Sequence, residues 1–125
     1  MEELLDKYTT VEETNTNVWF KAGSTSLFPQ NSGACVKYKN KQIAVFNFTR
    51  TGKWYACQNL CPHKMEMVLS LGLIGDKKGT PVVACPLHKK NFSLENGAGL
   101  TDESLHIAVY PVKIKDGNVY IGFSD

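Results

Sequence analysis

Two short segments hold the residues whose types and spacing could do chemistry. Cys61-Pro62-His63 and Cys85-Pro86-Leu87-His88 each offer a thiolate and an imidazole, with 21 residues between His63 and Cys85. A set of two sulfurs and two ring nitrogens suits two kinds of metal centre. Zinc takes Cys₂His₂ tetrahedrally on one ion. A [2Fe–2S] cluster can instead divide the set, with both sulfurs on one iron and both imidazoles on the other. Zinc sites usually pair like ligands along the chain, as in C-x₂-C followed by H-x₃₋₅-H, whereas each pair here is mixed. In both segments the Cys precedes the His, an order that puts sulfur inside and nitrogen toward a loop tip. A metal-free reading also exists, because a buried Cys near a surface His is common. Two mixed pairs, each with Pro directly after the Cys, make coincidence a poor account of it. The spacing favours the divided cluster, with zinc and no metal as the alternatives.

The rest of the chain must position these segments. Its 125 residues suit one domain, and 42% hydrophobic with 21% charged residues excludes a disordered or fibrous chain. No apolar run approaches the ~18 residues that span a bilayer, so no membrane partner is expected. The start, MEELLDKYTTVEE, is acidic and lacks the basic-then-apolar order of a secretory signal, so a cytoplasmic protein is expected. Residues 1–16 set Glu2, Glu3, Asp6, Glu12 and Glu13 against Lys7 alone, although the whole chain carries a formal +2. The positive charge left to the remainder is too small and scattered for a nucleic-acid face.

Short strands and turns are predicted from Val18 onward. Ala34–Lys39 and Gln42–Phe48 flank the polar pair Asn40-Lys41 as a hairpin. Thr51-Gly52 turns the chain into Lys53–Cys57, and Pro81–Ala84 runs straight into the second Cys/His segment. Ile107, Val109, Val112 and Ile114 read as a half-buried strand. Asp116-Gly117 is a type I′ turn signal, and Val119, Ile121 and Phe123 continue the alternation on the return. The expected architecture is all-β, an antiparallel sandwich or small barrel over 17–125. A loop-rich, cluster-binding insertion at about 57–97 is mounted on it. Residues 1–16, with Leu4, Leu5 and Tyr8 at helical spacing, read as a flexible extension with one helical turn.

C-P-H, then C-P-L-H-x-x-x-F-x-L-x-x-G, then Y-P-V-K-I-x-D-G-x-V-Y-I resembles the Rieske ferredoxin family. Over residues 18–123 the chain is similar to that family's NAD(P)H nitrite reductase small-subunit branch. The stretches that carry this closer match are Cys57–Lys64, Leu71–Asp76, Cys85–Lys90 and Phe92–Gly97. Most Rieske proteins have fewer residues between the first His and the second Cys, and this branch is where a longer gap is expected. Some bacterial members lack the ligands, but all four are retained here. The resemblance implies a Rieske [2Fe–2S] cluster with Cys61 and Cys85 on the inner iron and His63 and His88 on the outer one. Lys64, Lys89 and Lys90 stand beside the ligand histidines and read either as a positive collar for docking an acidic partner or as charges that keep exposed loops soluble. It further implies a large catalytic subunit carrying FAD, a [4Fe–4S] cluster and sirohaem, which reduces nitrite to ammonium. No G-x-G-x-x-G follows a strand in this chain, so no complete active site and no catalytic residue is expected on it alone. High-potential respiratory members place Ser and Tyr two and four residues after the second His. Lys90 and Phe92 stand there instead, which predicts a potential toward the low end of the family range, about −150 mV. Two competing functions are a Rieske ferredoxin of a ring-hydroxylating dioxygenase and a structural binding subunit without a working cluster.

The remaining notable residues read as scaffold. Cys35 and Cys57 are expected as small buried hydrophobes and His106 as an ordinary strand residue. Trp19 and Trp54 are expected as core anchors, and Met65, Met67, Val68 and Leu69 as packing. Gly72 and Gly75 are expected at a tight bend.

Overall fold

A computed structural model describes residues 7–87 and 89–124. Among the described residues, twelve strands build four antiparallel sheets. Strands β1 (Val18–Ser24), β11 (Val112–Lys115) and β12 (Asn118–Phe123) form one sheet in the order β1-β12-β11. A second sheet holds β2 (Gly33–Tyr38), β3 (Lys41–Phe48), β4 (Lys53–Gln58) and β10 (Val109–Tyr110), in the order β10-β4-β3-β2. Strands β5 (Leu60–Cys61) and β6 (Glu66–Met67) make a short ribbon, and β7 (Leu73–Lys77), β8 (Thr80–Ala84) and β9 (Asn91–Ser93) make a further three-stranded sheet. Among the described residues, no helix is long and apolar enough to cross a membrane.

The second sheet lies between two cores, because both of its faces are apolar. Ile43, Ala44, Val45 and Phe46 run consecutively along β3, and all four are buried. Side chains alternate along a strand, so Ile43 and Val45 face the first core while Ala44 and Phe46 face the second. In the first core they meet Val119, Ile121 and Phe123 of β12. Tyr38 and Phe123 stack there with ring centroids 3.8 Å apart and an interplanar angle of 5°. The second core unites Phe46, Cys57, Leu69, Val83, Phe92 and Ile107 with Cys61 and Cys85. Burying a large apolar side chain stabilises by about 1.5–3 kcal/mol, so the middle sheet contributes to both cores at once.

The hairpin signals mostly hold, with local differences. The β2–β3 turn is Lys39-Asn40 rather than Asn40-Lys41, since Tyr38 pairs with Lys41 and Lys39 takes a φ of 54°. Asp116 and Gly117 have φ of 52° and 74°, as a type I′ turn requires. The expected Ile107–Ile114 strand is broken at Pro111, which has no N–H to donate. Before it, β10 pairs with β4, and after it β11 pairs with β12, leaving Ile114 41% exposed on an edge. The 57–97 region is less loop-rich than expected, because β7, β8 and β9 pair within it. Gly72 is needed there for close approach, since a Cβ would collide with the Ala84 carbonyl oxygen, whereas Gly75 has open space. Trp19 and Trp54 are only half-buried; the fully buried large side chains include Phe46, Phe92 and Phe123.

The extension is not loose over its described part. Tyr8 and Val11 are buried in the first core. Val11 N–H donates to the Val109 carbonyl (3.0 Å), Val109 N–H to Thr10 Oγ1 (3.3 Å), and Gln42 N–H to the Tyr8 hydroxyl (3.0 Å). Burial pushes the Tyr8 phenol up. A single turn of 3₁₀ helix follows at Glu13–Asn15, while Leu4 and Leu5 lie outside the described residues. Two apolar side chains in a charged stretch suffice to pin it. Tyr8→Ala is therefore expected to lower stability by about 3 kcal/mol and Tyr8→Phe by about 1 kcal/mol in urea unfolding. No change for either would mean the segment is unattached.

Candidate metal centre

The two Cys/His segments fold as two loops of one construction. Cys61 ends β5, and the chain returns along β6 with Cys61 paired to Glu66. Cys85 follows β8, and the chain returns along β9 with Ala84 paired to Asn91. In each loop the fourth residue after the Cys turns left-handed and donates its N–H to the Cys carbonyl. These are Met65 (φ 56°, 2.7 Å) and Lys89 (φ 56°, 2.8 Å). Neither is glycine, so each conformation carries strain of order 1 kcal/mol or more, of the kind that collects at functional sites. The same turn thus closes both loops on the Cys carbonyl.

Cys61 and Cys85 are both fully buried, and their thiols lie within hydrogen-bonding reach of each other. No disulfide joins them. Burial is the largest influence on the Cys61 thiol and pushes it up, and the second sulfur adds to this; the backbone N–H groups of Lys64 and His63 act the other way. Those N–H groups point at a sulfur that would accept best as a thiolate. Two dry thiols side by side, with amides already aimed at one of them, fit a site whose sulfurs take a metal. Beneath them lies a floor of small and apolar groups, including Ala44, Cys57, Phe46 and Phe92. Cys57 is the buried hydrophobe the sequence suggests, and desolvation raises its thiol strongly.

The loop residues that follow the two cysteines present both cationic and apolar groups at the surface. Pro62 is half-buried, while His63, Lys64, Pro86, Leu87 and Lys89 are exposed and Lys90 is half-buried. His88 lies outside the described residues. Among the described residues no three Cys, His, Asp or Glu side chains converge on one point. His106 is exposed, bridges to Ala98, and lines a surface pocket with Pro62 of the first loop. Met65, Met67 and Val68 pack half-buried against the cores and Leu69 is fully buried.

Three features escape a reading of motifs. Asp102 sits in a neighbouring loop, accepting from Ser104 Oγ (2.6 Å) and Ser104 N–H (3.0 Å). Those bonds, with smaller help from Lys90 and His63, hold its carboxyl below the usual range. Cys35 is exposed on the edge strand β2 rather than buried. Asn59 Nδ2 donates to its sulfur at 3.6 Å.

Asn59 itself is the third feature. It is 2% exposed and closes the first loop end to end. Its Oδ1 accepts from Ser70 N–H (2.7 Å), its carbonyl accepts from Val68 and Leu69 N–H (both 3.0 Å), and its N–H donates to Gln42 (2.9 Å). Beside it, the Gln58 carboxamide ties the Leu60 carbonyl to Ala108 N–H. The second loop is instead closed by a backbone bond, Cys85 N–H to Lys90 carbonyl (2.9 Å). The only sequence signal is a polar pair, Gln58-Asn59, inside an otherwise apolar strand end.

Two buried thiols meeting between two similarly closed loops, on an all-β double core, define a small β domain with a two-thiol centre. The sequence profile of the Rieske-like [2Fe-2S] domain matches residues 18–122, and the chain belongs to that family. It is 44% identical over 98 residues to a nitrite reductase [NAD(P)H] of Emericella nidulans, covering 74% of this chain but only 9% of that protein. It is 33% identical over 90 residues to the nitrite reductase (NADH) small subunit of Escherichia coli K12, covering 72% of this chain and 83% of that one. The solution structure of the E. coli protein NirD superposes with a TM-score of 0.77 at 29% identity, over 86% of this chain and 98% of that one.

Removing the Asn59 clasp should loosen one loop and spare the other. Asn59→Ala is expected to cost about 3 kcal/mol, because the Ser70 N–H and Gln42 side chain lose buried partners. In hydrogen exchange, the Ser70 amide should then open about 100-fold faster while the Cys85 amide stays as slow as before. Equal acceleration in both loops would refute a local clasp.

Proposed function

We propose that Cys61 and Cys85 hold the inner iron of a Rieske [2Fe–2S] cluster and that His63 and His88 hold the outer iron. On this reading the chain is the electron-transfer small subunit of a cytoplasmic NAD(P)H-dependent nitrite reductase. Its larger partner carries FAD, a [4Fe–4S] cluster and sirohaem and reduces nitrite to ammonium. The observation that carries the reading is the meeting of the Cys61 and Cys85 thiols in the interior, with two backbone N–H groups turned toward the Cys61 sulfur. When bound, such a cluster takes up a single electron and gives it back.

The chain's own residues divide the supporting work. Phe46, Leu69 and Phe92 keep water from the sulfur side, where a low dielectric strengthens each amide-to-sulfur bond. His63 is exposed on the first loop, where its ring is within reach of a docking partner. Lys64, Lys89 and Lys90 set positive charge beside the ligand positions, which favours added negative charge there and steers an acidic partner. Asp102 offsets part of that charge. Phe92 is fully buried and has no hydroxyl to offer a sulfur, in keeping with a low potential.

Purification under anaerobic conditions followed by reduction provides the test. The unaltered chain should give a Rieske-type EPR signal with a midpoint of about −150 mV. His63→Ala and His88→Ala should abolish the signal, and His106→Ala should leave it intact. A colourless, iron-free protein, or a midpoint well above zero, would count against this reading.

A further inference from the structure

Leu71 and Leu73 are 74% and 78% exposed, one on each side of Gly72 at the entrance to β7. A single exposed leucine is ordinary. Two this bare, one residue apart, have a structural cause. Gly72 is buried with its backbone against the Ala84 carbonyl; Leu71 ends a turn of 3₁₀ helix (Leu69–Leu71) before it and Leu73 opens β7 after it, and both are left on the outside. Ala84 precedes Cys85 and pairs with Leu73, which puts the leucines beside the second ligand loop. That loop's own Leu87 is 44% exposed. β7 is also a sheet edge. Edges are normally protected by charge, and the far end of β7 has Asp76 and Lys77, both exposed. The leucine end has none.

We propose that Leu71 and Leu73 anchor the larger redox subunit, which seats against this edge with an apolar contact and acidic side chains facing Lys64 and Lys89. The inference rests on the reading of the chain as an electron-transfer subunit. An electron partner must approach the two ligand loops, and a body large enough to cover the second loop also covers its neighbour Leu73. Lys64 and Lys89 are both exposed; a second copy of the same face would oppose like charges, whereas an acidic rim complements them. In the Emericella relative the matching region is 9% of a far longer chain, so a domain of this kind there belongs to a much larger body. Exposed apolar patches next to a functional site mark such interfaces.

Leu27 supplies the control. It is 70% exposed but lies in a turn tied to the β11–β12 loop through Thr25 N–H and the Gly117 carbonyl. The experiment measures binding of the cluster-loaded chain to the co-expressed nitrite reductase large subunit. The Leu71→Ser/Leu73→Ser double variant should bind about 100-fold more weakly. Leu27→Ser should bind like the unaltered chain, and all three should share one EPR signal. Equal binding by the double variant overturns the proposal and leaves the electron-transfer reading standing, whereas no binding by the unaltered chain overturns both. Loss of the EPR signal in the double variant alone also overturns it, since the leucines would then serve the cluster. Sedimentation of the chain alone completes the test: a monomer supports the proposal, and a dimer dispersed by the double variant overturns it.

Discussion

Thiols ionise poorly without water, and placing two of them side by side in a dry interior raises that barrier further. The centre of this protein is organised around that constraint. Cys61 and Cys85 are fully buried over Ala44, Cys57 and Phe46, and the groups positioned to favour sulfur as an anion are backbone amides of the first loop. Such an arrangement keeps the thiols protonated in the metal-free fold and would release their protons to a metal that takes the sulfurs as ligands. The middle sheet makes it possible. With β3 apolar on four consecutive residues, one face completes an ordinary sandwich core and the other is left as a platform for the loops.

The two loops reach the platform by different routes. Both close a left-handed turn on the Cys carbonyl, but the first is held by the Asn59 side chain and the second by its own strand ladder. The Pro81–Ala84 run, paired on both sides by β7 and β9, is the firmer support. The first loop leans on the Tyr8 segment as well, since the Tyr8 hydroxyl reaches Met67 Sδ at 4.0 Å and holds Gln42 N–H. Gln42 is also the partner of Asn59. A chain of contacts thus runs from the N-terminal segment to the Cys61 loop, through groups that carry no chemistry of their own.

What can be read from sequence follows from how local each cause is. Asp116-Gly117 and Thr51-Gly52 are legible because a turn depends on two residues' backbone preferences. The two Cys/His segments are legible because metal chemistry restricts residue type and spacing together. Cys35 misleads because a cysteine in an apolar alternation looks the same on an edge strand as on an inner one, and only pairing order separates them. Tyr8 and Val11 mislead because two apolar residues among acids give little local signal, yet the sheet offers them a groove. The Leu71–Asp76 stretch reads as a bend because of its glycines. Gly72 proves to answer a contact with Ala84, which adjoins it only after β7 and β8 pair. Asn59 is invisible as a clasp for the same reason, its partners being brought near by folding.

Metal and sulfide analysis of the anaerobically purified chain addresses the central claim most directly. Two irons and two acid-labile sulfides per chain, both lost in Cys61→Ser and in Cys85→Ser, are the expected result. One zinc per chain with no labile sulfide, or full iron content in either serine variant, would contradict a diiron centre gripped by the two buried thiols.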